Sequence, residues 1–219
     1  MYKYILFDFD GTLTVPREGI TKSVQYALAK MGIEEPDLKK LEPFIGPPLI
    51  DSFQEYYGFT LEEARKATDY YRENFTVKGL YQNELFDGVP EMLKALKENG
   101  CVVAIASSKP EPFVQRILDN FEISQYFDYV CGSTLNETRT KKEEVIEELL
   151  RRMNLTPEEK KQMLMVGDRK FDVEGAAYFG IPCLGLSLGF AAEGELEKAG
   201  AVEIVDSVQE IAEFVLKRK

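Results

Sequence analysis

Tyr4-Ile5-Leu6-Phe7-Asp8-Phe9-Asp10-Gly11-Thr12 begins as an unbroken apolar run and stops on two carboxylates and a glycine. The run is long enough for a buried strand and too short for a buried helix, so residues 4–9 read as a strand. On an extended chain Asp8 and Asp10, two apart, project to one side of the pleat. Gly11 behind them lets the backbone come close to a ligand.

Five further short apolar runs, at 101–106, 129–131, 162–166, 181–186 and 202–205, share this β-branched and aromatic character. They alternate with helical patterns at 89–99, 111–121, 141–153, 172–179 and 208–216. Such alternation predicts an α/β fold, a Rossmann-like parallel sheet with helices on both faces. Residues 15–81 break the rhythm. They hold no convincing strand and carry apolar residues at helical spacing: Tyr26, Leu28 and Met31, then Leu49, Phe53 and Tyr57, then Leu61, Ala64, Tyr71 and Phe75. Gly46-Pro47-Pro48 fits a loop followed by a helix starting on proline. The predicted organisation is an α/β core of residues 1–14 and 82–219 with an inserted helical cap, 15–81, whose loop 44–48 is expected to face the site.

In an open parallel sheet, ligands gather beyond the carboxyl ends of the strands. The first strand ends in Asp8, Asp10, Gly11 and Thr12, the second in Ser107, Ser108 and Lys109, and the fourth in Gly167, Asp168 and Arg169 with Asp172 one turn further on. Converging carboxylates repel one another; at about 4 Å and an effective dielectric near 20 the cost is about 4 kcal/mol per pair. A divalent cation removes that cost, and an all-oxygen donor set selects Mg2+. Lys142, which shares a helical face with Ile146, Leu149 and Met153, the Ser107 hydroxyl and the backbone N–H groups of residues 9–12 supply the donors an anion needs. With that charge in place Asp8 is a candidate nucleophile toward phosphorus, and Asp10 a candidate general acid and base. Gly11, Thr12, Ser108, Lys109 and Arg139 are candidate substrate contacts, with Arg169 and Lys78 behind them. A plainer role is also expected for at least one of Ser107 and Ser108, as cap of the following helix.

Composition narrows the chemistry. The 219 residues include no histidine, which excludes Ser-His-Asp triads, Cys-His dyads and histidine zinc sites together. A net charge of -11 repels a nucleic-acid polymer in the absence of a concentrated basic patch. No apolar stretch approaches the ~20 residues of a membrane span, and the first residues lack a signal peptide's pattern, so a cytoplasmic protein is expected. Cys101, Cys131 and Cys183 sit in apolar runs and are expected to be buried and reduced.

Asp8-Phe9-Asp10-Gly11-Thr12 resembles the DxDGT signature of the haloacid dehalogenase superfamily, and the other motifs follow in matching order along the whole chain. The resemblance implies Asp8 as nucleophile, Asp10 as acid-base, Ser107 as the second-motif hydroxyl and Lys142 as the third-motif lysine. It further implies Mg2+ held by the Asp8 carboxylate, the Asp10 carbonyl and Asp168, with Asp172 as a supporting acid. The insertion is similar to the superfamily's C1-type helical cap. FIGPPL, KGLY, SKPEPF and GDRKFDVEGA look most like the branch of phosphoglycolate phosphatases and 5'-nucleotidases. Phosphoglycolate phosphatases often have Thr-Asn where Ser107-Ser108 stand and Lys-Pro where Lys142-Glu143 stand. The expectation is a Mg2+-dependent phosphatase that hydrolyses a small phosphomonoester, of the phosphoglycolate or nucleoside monophosphate type, through an aspartyl phosphate at Asp8, as monomer or homodimer. The alternatives are a β-phosphoglucomutase-like phosphotransferase, a pyrophosphatase, or a non-catalytic receiver-like Mg2+-binding protein.

Overall fold

A computed structural model describes residues 2–217. Strand β1 (Tyr4–Phe7) has every residue buried, which is why it reads as one apolar run rather than an alternation. It lies inside a six-stranded sheet with β4 (Val102–Pro110) on one side and β6 (Met163–Gly167) on the other. Beyond β4 comes β5 (Tyr129–Ser133); beyond β6 come β7 (Cys183–Leu186) and β8 (Glu203–Val205). Every pairing is parallel, in the order β5-β4-β1-β6-β7-β8. The core is thus the Rossmann-like α/β sheet expected.

The registers set the heights of the strand ends. Phe7 lies opposite Ile105 on one side and Val166 on the other, so β1, β4 and β6 deliver the residues that follow them to one level. The chain leaves β1 toward β4 and β5, then returns to the far side of β1 with β6. Strand order thus reverses between β1 and β6, and it is beyond the strand ends at such a point that these sheets bind ligands.

Helices α4 (Val89–Glu98), α5 (Glu111–Asn120), α6 (Lys142–Met153), α8 (Lys170–Ala177) and α10 (Val208–Lys217) cover the sheet. Tyr4 and Leu6 pack with Val145, Ile146 and Leu149 of α6 and with Val173 and Ala176 of α8. Ile5 and Phe7 point to the opposite face and are equally inaccessible. Two shorter helices, α7 (Pro157–Lys160) and α9 (Glu195–Ala199), are too brief to show a period and escaped the sequence reading.

Contacts divide the chain into one unit of Met1–Thr14 with Leu85–Lys219 and a second of Val15–Glu84. The second unit holds α1 (Arg17–Lys30), a 3-10 segment (Leu38–Phe44), α2 (Leu49–Tyr57) and α3 (Leu61–Phe75). Its own core includes Phe44 against Phe53, ring centroids 4.9 Å apart, and Phe53 stacked on Phe59. Thr60 and Glu63 start α3 with reciprocal hydrogen bonds.

Three details differ from expectation. Pro48 is the residue before α2, not its first residue; its extended ψ of 133° keeps it outside the helix. The two passages between units pair as two-residue strands, β2 (Thr14–Val15) and β3 (Glu84–Leu85), too short to leave a period-two signal. Residues 82–84, read with the sheet, belong to the helical unit, where the Gln82 carbonyl accepts from Gly19 N–H and the Gln82 amide donates to Glu18.

All three cysteines are free and buried, and burial raises the Cys131 thiol to about 11. A thiol reagent that reacts with thiolates should therefore leave the native protein unmodified and titrate three thiols per chain after denaturation; rapid reaction of any thiol in the native state would contradict this packing.

Candidate active site

The site is assembled from the ends of β1, β4 and β6 and the first turns of α6 and α8. Asp8, Asp10, Ser107, Lys109, Lys142, Asp168 and Asp172 are all buried. Glu144 accepts hydrogen bonds from the backbone N–H of Thr140 (2.7 Å) and Lys141 (3.0 Å), which starts α6 at Lys142. From there Lys142 lies on the inward face with Ile146, Leu149 and Met153, as the helical spacing predicts. Its ammonium donates to the Ala106 carbonyl (2.9 Å) and stands 2.7 Å from both Asp8 Oδ1 and Asp172 Oδ1. These are ion pairs, and among the described residues neither oxygen has a hydrogen-bond partner of regular geometry. Each keeps capacity for another positive partner.

Asp168 is fully buried. Its Oδ1 accepts from the Thr12 hydroxyl (3.0 Å) and its Oδ2 from the Phe190 N–H (2.8 Å). Gly11, at φ +90°, presses on the same carboxylate: a Cβ there would overlap it. Asp172 Oδ2 accepts from Arg169 N–H (3.0 Å) at the start of α8. Carboxylate oxygens of Asp8, Asp168 and Asp172 all lie within 4.8 Å of one another.

On the other side of Asp8, Lys109 Nζ stands 2.7 Å from Asp10 Oδ2, and the Thr14 hydroxyl gives Asp10 Oδ1 a long 3.4 Å hydrogen bond.

The electrostatics are one-sided. Among the described residues, Lys109 and Lys142 are the cations paired with Asp8, Asp10, Asp168 and Asp172, which leaves two negative charges in a buried cluster. Two unit charges 4.8 Å apart repel by about 3.5 kcal/mol at an effective dielectric near 20. Burial, then Asp172 and Asp8, push Asp168 well above the carboxylate range. Burial, then Asp8, raise Asp172 to about 6, with Lys142 opposing. Burial raises Asp10 as well, against the pull of Lys109. For Lys142 burial acts downward, but Asp172 and Asp8 outweigh it and hold the ammonium above its ordinary value. Hard oxygen donors, an excess of two negative charges and carboxylate oxygens still lacking hydrogen bonds fit one divalent cation of the Mg2+ type.

The sequence reading missed several partners. Phe190 N–H was readable in principle, since Gly189-Phe190 follows shortly after a strand that ends on the ligand side. The Ala106 carbonyl and Thr14 carry no such signal. Ser107 and Ser108 do not cap the next helix: both lie within β4, which runs four residues past 106, and Pro110 precedes α5. Arg139 donates to the Gly132 carbonyl (2.9 Å) and pairs with Glu111 (3.4 Å), beside an Arg152–Glu111 bridge between α6 and α5. Arg169 pairs with Glu195 at 2.8 Å. Both guanidiniums thus make bonds within the sheet unit.

A family model described as haloacid dehalogenase-like hydrolase matches residues 5–186, which takes in the sheet from Ile5 of β1 through β7 and Asp8, Asp10, Ser107, Lys109, Lys142, Asp168 and Asp172. The chain belongs to the haloacid dehalogenase-like hydrolases. A 5'-nucleotidase of Pseudomonas aeruginosa is 50% identical over 89% of this chain and 87% of its own. A tyrosine-protein kinase of Mycobacterium tuberculosis is 33% identical over 91% of this chain and 67% of its own. Phosphoglycolate phosphatases stand lower, at 25–28%. The crystal structure of a predicted phosphatase from Clostridium acetobutylicum superposes with a TM-score of 0.95 at 43% identity over 99% of both chains. Among the described residues of this family member, no helix is long and apolar enough to cross a membrane.

The charge imbalance has a measurable consequence. For Asp168 and Asp172 the folded state holds protons more tightly than the unfolded chain, so the metal-free protein loses stability as pH rises from about 4 through the folded values, about 6 for Asp172. Mg2+ should raise the melting temperature more at pH 8 than at pH 5. At a hundredfold excess over Kd the gain is about 2.7 kcal/mol. Asp168→Asn should stabilise the metal-free protein by about 1–3 kcal/mol and abolish the Mg2+ response; thermal melts showing an undiminished response in that variant would contradict the assignment.

Proposed function

We propose that this protein is a Mg2+-dependent phosphatase that hydrolyses small phosphomonoesters, with nucleoside monophosphates as the favoured class, through a phosphorylated Asp8. The buried cluster of Asp8, Asp168 and Asp172 beside Lys142 carries the reading, because it places a nucleophilic carboxylate where a cation is needed and an ammonium is already present. The Asp8 carboxylate, the Asp10 carbonyl and Asp168 would hold Mg2+, with Asp172 supporting. When bound, the metal neutralises the phosphoryl oxygens and the carboxylate cluster, so that an anion can approach an anion.

Asp8 attacks phosphorus, the P–O bond to the leaving group breaks, and Asp10 supplies the proton that makes the departing alkoxide an alcohol. In the second half Asp10 takes a proton from water, the water oxygen attacks phosphorus, and the bond to Asp8 breaks. Inorganic phosphate is released and the Asp8 carboxylate is restored. Lys142, fixed by the Ala106 carbonyl, orients Asp8 and balances charge at the phosphoryl group. The Ser107 hydroxyl and the backbone N–H groups of Phe9 and Asp10 supply neutral donors to the same group; those of Gly11 and Thr12, expected to join them, are already donated to the Thr14 and Phe9 carbonyls.

The nucleotide preference is supported by the 50% identity to a protein named 5'-nucleotidase and by the departures from the phosphoglycolate phosphatase pattern at Ser107-Ser108 and Lys142-Glu143. The kinase named among the relatives keeps a phosphotransferase as the second reading, since the same Asp8-phosphate can pass to an acceptor other than water.

Phosphate release should be measured with nucleoside monophosphates, phosphoglycolate, pyrophosphate and sugar phosphates, with and without Mg2+. Nucleoside monophosphates should give the highest kcat/KM, and chelation should abolish release. Asp8→Asn should lower turnover by at least about 10³-fold and Asp10→Asn by about 10²–10⁴-fold. No release from any of these esters with Mg2+ present, or full activity in Asp8→Asn, would refute the reading.

A further inference from the structure

Lys109 was a candidate substrate contact from its place at a strand end, but its ammonium is turned into the protein. Nζ lies 2.7 Å from Asp10 Oδ2, and the two side chains are 5% and 9% exposed. Among the described residues the other Asp10 oxygen receives only the long hydrogen bond from Thr14. We propose that Lys109 is a positioning residue that anchors Asp10 through Oδ2, leaving Oδ1 as the oxygen that gives the proton to the leaving group and later takes one from water. The inference rests on the reading of Asp8 as nucleophile and Asp10 as acid-base.

The backbone around Lys109 is built for this direction. Pairing of β4 with β5 is regular from Ala104 to Ser107 and then shifts register, so that the next paired residue is Pro110 opposite Ser133. The shift re-aims the side chains of the intervening residues, as bulges do beside active sites. Ser107 Oγ accepts a hydrogen bond from Lys109 N–H at 3.3 Å, tying the irregular segment to the second-motif hydroxyl. Gly132 of β5 lies against the same segment. A Cβ at that position would stand 2.5 Å from the Lys109 carbonyl oxygen and 2.6 Å from Glu111 N, so the close approach needs glycine. The ammonium therefore reaches Asp10 from a fixed backbone.

A positioning residue and a substrate contact have different kinetic signatures. With p-nitrophenyl phosphate, transfer to Asp8 expels p-nitrophenolate, which leaves without a proton, so this step bypasses Asp10. Release of phosphate from Asp8 still needs Asp10 to accept a proton from water.

In Mg2+, the full-length Lys109→Met variant should therefore show a burst of about one p-nitrophenolate per chain. The burst rate should be no lower than about a third of the wild-type kcat, followed by turnover reduced about 10²-fold. Lys109→Arg, which can still donate to Oδ2, should recover most of that turnover. Lys109→Met leaves a buried carboxylate unpaired, so the double variant Asp10→Asn/Lys109→Met is the safer companion; it should turn over at the rate of Asp10→Asn alone.

Loss of the burst together with turnover, a change confined to KM, or a further drop of more than about threefold in the double variant would overturn the positioning role. An active wild type with such a result refutes this inference alone. A wild type that releases neither p-nitrophenolate nor phosphate refutes the phosphatase reading and this inference with it.

Discussion

Four buried carboxylates meet two buried ammoniums at the ends of three adjacent strands, and the two uncompensated negative charges constrain everything around them. A protein interior tolerates a charge only when it is paired or neutralised. Lys109 serves Asp10 and Lys142 is shared between Asp8 and Asp172, so Asp168 is left with two hydrogen-bond donors and no cation of its own. The cluster is a poor core and a good cation site. The same excess that weakens the metal-free fold is what a divalent ion would neutralise, and under the proposed function that ion would in turn hold a phosphoryl group.

The sheet makes the cluster possible. Because β1 is buried on both faces and held in parallel register by β4 and β6, the residues beyond its end have little freedom in height or direction. Asp8 continues the ladder with β6 through its own N–H, which donates to the Val166 carbonyl. Apolar burial along β1, β4 and β6 supplies the free energy that holds like charges together, at roughly 25 cal/mol per Å². The acidic ends are thus positioned by their apolar stems, and α6 brings the compensating lysine on the same helical face that packs against the sheet.

Much of this was legible in the sequence, and the reason differs from residue to residue. Asp8, Asp10 and Asp168 could be read because each directly follows an apolar run whose end is sharp. Lys142 could be read because a 3.6-residue period places it with Ile146, Leu149 and Met153. Lys109 could not be read correctly, since its direction depends on a register shift between β4 and β5 that no local pattern encodes. Arg139 was equally opaque: its bonds to the Gly132 carbonyl and Glu111 join three segments distant in sequence. The paired crossings β2 and β3 were invisible because two residues carry no periodicity.

The claim that a divalent cation belongs among these carboxylates is tested most directly by locating one. Crystals grown with Mn2+, whose anomalous scattering marks its position without ambiguity, should show a peak between the carboxylates of Asp8 and Asp168, within the 2.0–2.3 Å range of metal–oxygen bonds. A structure with Mn2+ bound only elsewhere would contradict the account.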